Sequence, residues 1–282
     1  MNQLVLQIDY AMAYQCELQK EVMGALWTRG SVNLFTVAIY HKSVSKTMLF
    51  CTNYKGKDKF STGLFFNIIS RDHILPDHDV STEVIWSDGP SSEFKNQFMN
   101  FLIQQLANKY QKPFIWKFSS TSHGKGVVDG VGGKIKSSVH KKVMSLGKDR
   151  AIVQDSESFA KLAKKLSEST EIIHITAEEV NAYKDSNPFN NSVPVHGISK
   201  MHVMKSDGET SYLWSNSSYH KSGSKPNIQI LPPQNQSSDQ ASSQEDDSTS
   251  VGKIISSEKK SLSYHFSKSS QRKLPWVLCN YH

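Results

Sequence analysis

The stretch SHGKGVVDGVGGKIK, residues 122–136, is the most informative part of this 282-residue sequence. It follows PFIWKFS (113–119), a run rich in aromatic and β-branched residues that is typical of a strand. From Val128 onward, apolar residues recur every three or four positions, which predicts a long helix whose apolar stripe packs on a sheet. We therefore expect a strand, a loop and a helix, with Asp129 near the start of that helix.

Glycines crowd the start of the predicted helix, and basic residues follow them. A glycine inside a helix costs about 1 kcal/mol relative to alanine, so several together indicate that a nucleic-acid phosphate or the neighbouring sheet approaches the backbone. Between residues 134 and 150 there are six Lys or Arg and one acidic residue. The helix is therefore a candidate nucleic-acid surface or an ordinary solvated face. Its candidate contacts are Lys125, Lys134, Lys136, His140 and Lys141.

The excess positive charge lies entirely in the first half of the chain. The whole sequence has 33 Lys and Arg against 26 Asp and Glu, a net charge of +7. Residues 1–150 hold 19 basic and 12 acidic side chains, whereas residues 151–282 hold 14 of each. A basic domain attracts polyanions, nucleic acid above all. A basic but purely solvated surface is the alternative.

Strand and helix signals alternate through the first 120 residues. The predicted strands are 3–10, 32–40, 44–52, 83–87 and 113–119, and the predicted helices are 61–70 and one beginning near Glu93 with Ser92 as its cap. Leu4, Leu6 and Ile8 are expected on different faces of a well-covered first strand. Residues 1–150 are thus expected to form an α/β core around a mixed five-stranded sheet flanked by helices.

The remainder of the chain has a different character. Residues 151–214 are predicted to form a small α/β extension, with a helix over 156–168 capped by Ser156, a strand over 171–176 and a hairpin at Asp207-Gly208. The tail, residues 215–282, is predicted to be mostly disordered, because residues 215–250 contain 11 serines and few aliphatic side chains.

Several classes of protein are excluded by what the sequence lacks. There is no run of about 18 apolar residues, so no spanning helix is expected and the membrane is not a partner. The N-terminus has no basic segment before its apolar residues, so it does not read as a signal peptide. Three widely spaced cysteines exclude a disulfide framework. We expect a nuclear or cytoplasmic protein that is not secreted.

The order of the predicted elements is that of an RNase H-like fold, and three aspartates fall where that fold gathers carboxylates. Asp9 lies near the end of the first strand, Asp88 directly after the fourth, and Asp129 in the helix after the fifth. Carboxylate oxygens are the ligands that Mg²⁺ prefers, and phosphodiester cleavage uses two such ions about 3.5–4 Å apart. The alternatives are a salt-bridged Asp9, a turn-forming Asp88 and an Asp129 that favours the helix dipole.

The motifs around these acids resemble the catalytic core of DDE/DDD transposases and retroviral-type integrases. IWSDGPSSEFKN matches the turn after the second acid, and KGVVDGVGGKIK matches the segment that opens the helix of the third. The chain is also similar to transposon-derived proteins of animal genomes through Asp9-Tyr-Ala-Met-Ala-Tyr14 and Ser122-His123-Gly-Lys-Gly. After the third strand, family members often carry an acidic, histidine-containing stretch, whereas this sequence has Thr52-Asn-Tyr-Lys-Gly-Lys-Asp58.

The resemblance covers about residues 1–200 and implies divalent-metal-dependent DNA strand cleavage and transfer. It implies that Asp9, Asp88 and Asp129 bind two Mg²⁺ or Mn²⁺ ions. From its place beside Asp129 in the sequence, His123 is either a contact to a phosphate or a metal-bound water or an ordinary turn histidine. DNA is the expected partner, with a homo-oligomer possible on it. Because the sequence begins on its first strand, we expect a truncated or domesticated copy. The alternatives are a non-catalytic DNA-binding scaffold derived from a transposase and an RNase H-like nuclease that only hydrolyses.

Overall fold

A computed structural model gives the fold of the protein. It describes residues 2–16, 30–74, 80–119, 126–145, 151–215 and 225–231, with the side chains of residues 73 and 74 left out. The predicted site residues His123 and Lys125 lie outside these ranges, as does most of the predicted tail. None of the helices in the described ranges is both long and apolar enough to cross a membrane.

Within the described ranges nine strands form one mixed sheet, so the expectation of five strands is wrong. Their bounds are β1 Gln3–Gln15, β2 Ser31–His41, β3 Val44–Thr52, β4 Thr82–Ser87, β5 Phe114–Phe118, β6 Thr170–Ile175, β7 Val203–Ser206, β8 Ser211–Trp214 and β9 Ile228–Ile230. The order across the sheet is β6-β3-β2-β1-β4-β5-β7-β8-β9. Residues after 150 therefore extend the same sheet at both edges, pairing backbone groups of β3 and β5 that would otherwise be exposed.

Five helices cover the sheet. Their bounds are α1 Lys59–Ile69, α2 Gln97–Tyr110, α3 Val127–Val143, α4 Ser156–Leu166 and α5 Ala177–Asp185, and α1 continues into a π-helical turn, Ser70–Ile74. The mixed α/β class is thus confirmed. The predicted start of α2 near Glu93 is wrong, because Asn96 is the residue whose side chain accepts the free N–H groups of the first turn. Likewise Asp155, not Ser156, caps α4.

The central strands run in two senses. β1 pairs antiparallel with β2, and β2 pairs antiparallel with β3. On the other side of β1, β4 runs parallel to it, and β5 runs parallel to β4. The carboxyl ends of β1, β4 and β5 therefore lie at the same edge of the sheet, and it is there that side chains from three chain segments can meet.

Two apolar cores lie on the two faces of the sheet. One face carries Leu4, Leu6 and Ile8 under α1 and α2, so these three side chains share a face rather than alternating between faces. Its interior is largely aromatic, with Phe35, Phe50, Phe65, Phe66, Phe94 and Trp116 fully buried. The other face carries Leu34, Leu49 and Cys51 under α3 and α4. The aspartate in β1, Asp9, alternates onto this second face.

A one-residue shift interrupts β1. The pairing with β2 moves between Ala11 and Tyr14, so β1 has one residue more than its partner at this point. As a result Tyr10 packs in the aromatic core, whereas Tyr14, four residues later, packs against Phe159 on the α3 and α4 side. Met12, within the shift, is 79% exposed.

The hairpin predicted at Asp207-Gly208 is confirmed, since β7 and β8 pair antiparallel across it. Gly208 has φ +105°, a backbone conformation that suits glycine. Beyond the hairpin, β9 pairs with β8, although it lies within residues 215–250, for which disorder was predicted. Ile228 and Ile230 pack against the aromatic core, which gives this short segment the apolar burial that the surrounding sequence lacks.

Candidate metal-binding site

The pairing of β1 with β4 brings Asp9 and Asp88 to equivalent positions. The parallel ladder runs from Gln3 opposite Thr82 to Gln7 opposite Trp86, an offset of 79 residues that also separates Asp9 from Asp88. Both aspartates therefore follow the last residue of this ladder by two positions. Because side chains alternate between faces, residues at the same register position of two parallel strands lie on the same face of the sheet.

Helix α3 crosses the same face directly above Asp9. A Cβ at Gly126 would collide with the side chain of Gln7, and a Cβ at Gly132 would lie 3.0 Å from the Ala11 Cβ. Gln7 and Ala11 flank Asp9 on its face of β1, so the first turns of α3 are held over this aspartate. Gly126 and Gly132 thus allow α3 to approach the sheet closely.

The third aspartate lies in the first turn of that helix. Asp129 is exposed, and one of its side-chain oxygens accepts a hydrogen bond from the Gly126 N–H at 3.0 Å, at the N-terminus of α3. The Asp9 carboxyl group, in its protonated form, can donate a hydrogen bond to the Asp129 carboxylate, and this interaction is one of the causes that raise the pKa of Asp9. Asp129 therefore has a position that favours the helix dipole and also interacts with Asp9.

The ionisation of Asp9 and of Asp88 depends on the neighbouring acids. The pKa of Asp9 is raised to about 7, first by burial and then by the negative charges of Asp88 and Asp129. Burial and the charge of Asp129 also raise the pKa of Asp88. Carboxylates that oppose each other's ionisation in this way lie close together. Asp9, Asp88 and Asp129, far apart in the chain, are thus electrostatic neighbours, and we call them the acid cluster.

A fourth acid, which sequence reasoning missed, belongs to the same neighbourhood. Glu93 is half-buried in the turn after β4; its pKa is raised by burial and by Asp88, and its charge in turn raises the pKa of Asp9. In the sequence Glu93 looked like the first residue of α2. The signal that identifies it is the turn at Pro90, whose carbonyl accepts the backbone N–H groups of Glu93, Phe94 and Lys95.

A lysine from the loop after β3 was also missed. The positive charge of Lys57 lowers the pKa of both Asp88 and Glu93. Its ammonium group donates to the carbonyl of Ala11 at 3.1 Å and lies 5.6 Å from the centre of the Tyr10 ring. The stretch that departs from the transposase pattern therefore supplies a cation to the acid cluster.

The floor of the site is rigid. Tyr10, next to Asp9, is buried, and its hydroxyl is hydrogen-bonded to Ser61 at 2.8 Å and to Thr62 at 3.0 Å in α1. Its ring stacks on Phe94 at 5.8 Å, and Phe94 is part of the turn that carries Glu93. The strand and the turn are therefore held in position by packing beneath them.

The predicted basic contacts divide between two sides of α3. Lys136 is seven positions after Asp129, so two turns place it on the same side of the helix, and its ammonium donates to the Met12 carbonyl at 3.0 Å. His140, exposed one turn further on, follows the same side. Lys134 lies instead in a cleft between α3 and α4, about 330 Å³ in volume, that Lys165 and Glu168 also line. Lys141 is exposed in the last turn.

The acid cluster and Glu93 have the type of side chain that binds a divalent cation, but these side chains are not arranged around a cation. Four neighbouring carboxylates are the hard oxygen donors that Mg²⁺ or Mn²⁺ takes, and a cation would relieve the repulsion between their negative charges. Over the described residues, however, the His, Cys, Asp and Glu side chains form no group of three or more already positioned to hold a metal ion. The hydrogen bond that a protonated Asp9 can donate to Asp129 is one contact that would have to open.

Comparison with known proteins identifies a family without a known activity. The matching family model is a domain of unknown function (DUF8701), and it covers residues 1–218. No curated protein matches the sequence. The matched range includes all three members of the acid cluster and every strand from β1 to β8. The chain therefore belongs to the family defined by the domain of unknown function DUF8701.

Proposed function

We propose that this protein is a transposase-like enzyme that cleaves and joins DNA strands with the help of divalent cations. The single observation that carries the proposal is the position of three acids at one edge of the sheet: Asp9 and Asp88 have equivalent positions on parallel strands, and the first turn of α3, which carries Asp129, lies over Asp9. Carboxylates on three rigid supports are the arrangement that two-metal phosphoryl transfer requires.

The topology supports an RNase H-like assignment for the centre of the sheet. Its strand order β3-β2-β1-β4-β5, with two antiparallel pairs followed by two parallel ones, is the order expected of that fold. Asp9 on the central strand and Asp88 after its parallel neighbour then have the positions that the resemblance assigns to the first two acids. Four further strands at the edges are additions to this core.

The acids and the lysines have separate roles in this proposal. Asp9, Asp88 and Asp129 would hold Mg²⁺ or Mn²⁺, with Glu93 as a further oxygen donor at the edge of the cluster. When bound, such ions activate the attacking oxygen and stabilise the leaving one. Lys136 and His140, on the Asp129 side of α3, would face the phosphate backbone of the same strand.

Substitution of Asp88 tests the catalytic assignment. Asp88→Asn is expected to abolish Mg²⁺-dependent nicking of a supercoiled plasmid while leaving the thermal unfolding temperature close to that of the parent. Asp185→Asn, an exposed carboxylate at the end of α5, is the matched control and should nick normally. Equal nicking by Asp88→Asn and the parent would refute the assignment. Joined products in a strand-transfer assay would exclude a nuclease that only hydrolyses.

A non-catalytic DNA-binding protein is the second candidate, and a specific observation favours it. The carboxylates are held by the hydrogen bond that a protonated Asp9 can donate to Asp129 and by the charge of Lys57, and no described group of three is ready to take a metal ion. Titration calorimetry with MgCl₂ and MnCl₂ separates the two candidates. No heat of metal binding, together with salt-sensitive binding of DNA, would favour the non-catalytic protein.

A further inference from the structure

Two lysines from distant parts of the chain meet at the one-residue shift in β1. Lys57 donates to the carbonyl of Ala11 at 3.1 Å, and Lys136 donates to the carbonyl of the next residue, Met12, at 3.0 Å. The shift lies between Ala11 and Tyr14, where β1 leaves its regular pairing with β2 and its carbonyls become available to side chains. The two ammonium groups are therefore anchored on consecutive carbonyls; we call them the lysine pair.

The lysine pair is built into the fold. Lys57 lies in a short loop that is fixed at both ends, since the Asn33 side chain donates to the Tyr54 carbonyl at 2.9 Å and the Tyr54 hydroxyl donates to Asp58 at 2.8 Å. Asp58 in turn caps α1. Lys136 is held by α3, whose approach to the sheet is set by Gly132. Both side chains are half-buried, which restricts where their charges can move.

The two charges oppose each other, and this opposition points to an anion as the natural occupant. The pKa of Lys136 is lowered by burial and by the positive charge of Lys57. An ammonium group has three N–H donors, and the bond to β1 uses one of them in each lysine. An anion bound between the lysines would accept hydrogen bonds from both and remove their repulsion.

The position of the pair identifies the anion. The Lys57 ammonium is held at Ala11, two residues beyond Asp9 along β1, and the Lys136 ammonium is held one residue further, at Met12, so Lys57 is the nearer of the two to the acid cluster along the strand. Carboxylates repel a phosphate, so an anion is expected on the Lys136 side of Lys57. A polynucleotide strand that reached the acid cluster would have its neighbouring phosphodiester there, since phosphates repeat along the strand.

We infer that Lys57 and Lys136 together bind one phosphodiester group of a nucleic-acid strand, next to the group that lies at the acid cluster. This inference rests on the proposed function, because the same strand must also reach the acids. It adds Lys57, which lies outside the basic helix, to the nucleic-acid surface. It also assigns Lys136 a defined phosphate rather than a general attraction to DNA.

The salt dependence of DNA binding tests the inference without any cleavage. Binding of a fluorescein-labelled duplex is measured by fluorescence anisotropy in EDTA at KCl concentrations across a tenfold range. Loss of one phosphate contact is expected to reduce the slope of log K against log [KCl] by about 1. Because the site needs both ammonium groups, Lys57→Met and Lys136→Met should each show this loss, and the double variant should lose no more than either single variant, since both lysines bind the same phosphate.

Matched variants separate phosphate binding from simple loss of charge or loss of folding. Lys161→Met removes an exposed lysine that pairs with Glu157 on α4, and it should leave the slope unchanged. Lys57→Arg keeps the positive charge and should retain the parent slope. If Lys57→Met unfolds, as judged by thermal denaturation, Lys136→Met together with Lys57→Arg carries the test. Parent slopes for folded Lys57→Met and Lys136→Met would overturn the inference.

The outcome is distinguishable from failure of the proposed function. If the parent nicks DNA and the two lysine variants keep its salt slope, the catalytic proposal stands and the phosphate site is wrong. If the parent neither nicks DNA nor binds Mg²⁺ but the slopes fall as expected, the phosphate site stands and belongs to a non-catalytic protein.

Discussion

The two ends of the β1 and β4 pair each hold a carboxyl group with a raised pKa, for different reasons. At one end Glu83, opposite Leu4, is fully buried, its oxygens have no hydrogen-bond partner among the described residues, and burial raises its pKa to about 8. At the other end Asp9 lies beside Asp88 and Asp129, whose charges add to the effect of burial.

The surroundings of the two carboxyl groups account for this difference. Glu83 lies among apolar side chains of the aromatic core, with only the charge of Lys112 to favour its ionised form. A lone buried carboxyl group of this kind stays protonated. Acids that raise each other's pKa hold negative charge in one place, which attracts a cation. The predictions below test this contrast.

The largest expected effect is on cleavage. If Asp9 binds a catalytic cation, Asp9→Asn should lower Mg²⁺-dependent nicking by about a thousandfold, because a metal contributes several kcal/mol to the transition state. Glu83→Gln should nick like the parent, since it lies at the other end of the strands. The measurement is the initial rate on a supercoiled plasmid. Equal losses of nicking rate in Asp9→Asn and Glu83→Gln would contradict the distinction between the two acids.

The next effect is on stability, and it depends on pH. The folded-state pKa of Glu83 lies above its unfolded value, so the unfolded chain loses this proton first and stability falls as pH rises from about 4.5 to 8. Glu83→Gln removes this loss and should be more stable than the parent by up to about 3 kcal/mol at pH 7. Urea unfolding at pH 4 and pH 7 measures it, and an equal difference at both pH values would contradict it.

A smaller effect on stability is expected from substitutions in helix α3, which covers the Asp9 end of the β1 and β4 pair. A Cβ at Gly132 would lie 3.0 Å from the Ala11 Cβ and 3.3 Å from Thr36, whereas a Cβ at Gly130 meets nothing within 4 Å. Gly132→Val should therefore destabilise the protein by about 1–3 kcal/mol and lower cleavage, since it lifts α3 from the sheet. Gly130→Val, the matched control, should stay within about 0.5 kcal/mol of the parent. Similar unfolding midpoints for both variants would count against the close packing.

The smallest effect is stabilisation by Mg²⁺. A ligand at ten times its Kd stabilises the folded state by about 1.4 kcal/mol, which corresponds to a rise in Tm of about 3–6 °C. Differential scanning fluorimetry with and without MgCl₂ should show this rise for the parent and for Glu83→Gln, but not for Asp9→Asn. A rise that persists in Asp9→Asn would locate the cation elsewhere.

Local sequence signals were sufficient to predict the strands at the centre of the sheet and the elements in or after which the three aspartates lie. The strand over 44–52 has the predicted bounds, and α3 begins one residue before Val128. These elements are encoded by their own periodicity. The start of α2 was missed because Pro90 begins a turn whose hydrogen bonds take up Glu93, a residue with nothing in its local sequence to show this.

The contributions from distant segments were not predictable from the sequence. β6 pairs with β3 across more than 100 residues, and Lys57 reaches Ala11 across 46, and no local pattern specifies either partner. Lys57 also lies in the stretch, residues 52–58, that departs from the transposase pattern, so the resemblance does not identify it. The roles of all the site residues that the sequence selected stay predictions, and His123 and Lys125 lie outside the described residues.

The one-residue shift in β1 limits how this part of the chain tolerates changes in length. Met12 projects into solvent, so most substitutions there should cost little. Deleting Met12 would remove the extra residue and restore simple alternation, with Tyr14 still opposite Val32 and on the face where it packs against Phe159. The position is therefore tolerant of deletion as well as of substitution. Deleting a regularly paired residue such as Ile8 would instead turn its neighbours to the opposite face, so a variant library that scans deletions along this strand should find its greatest tolerance at the most exposed residue.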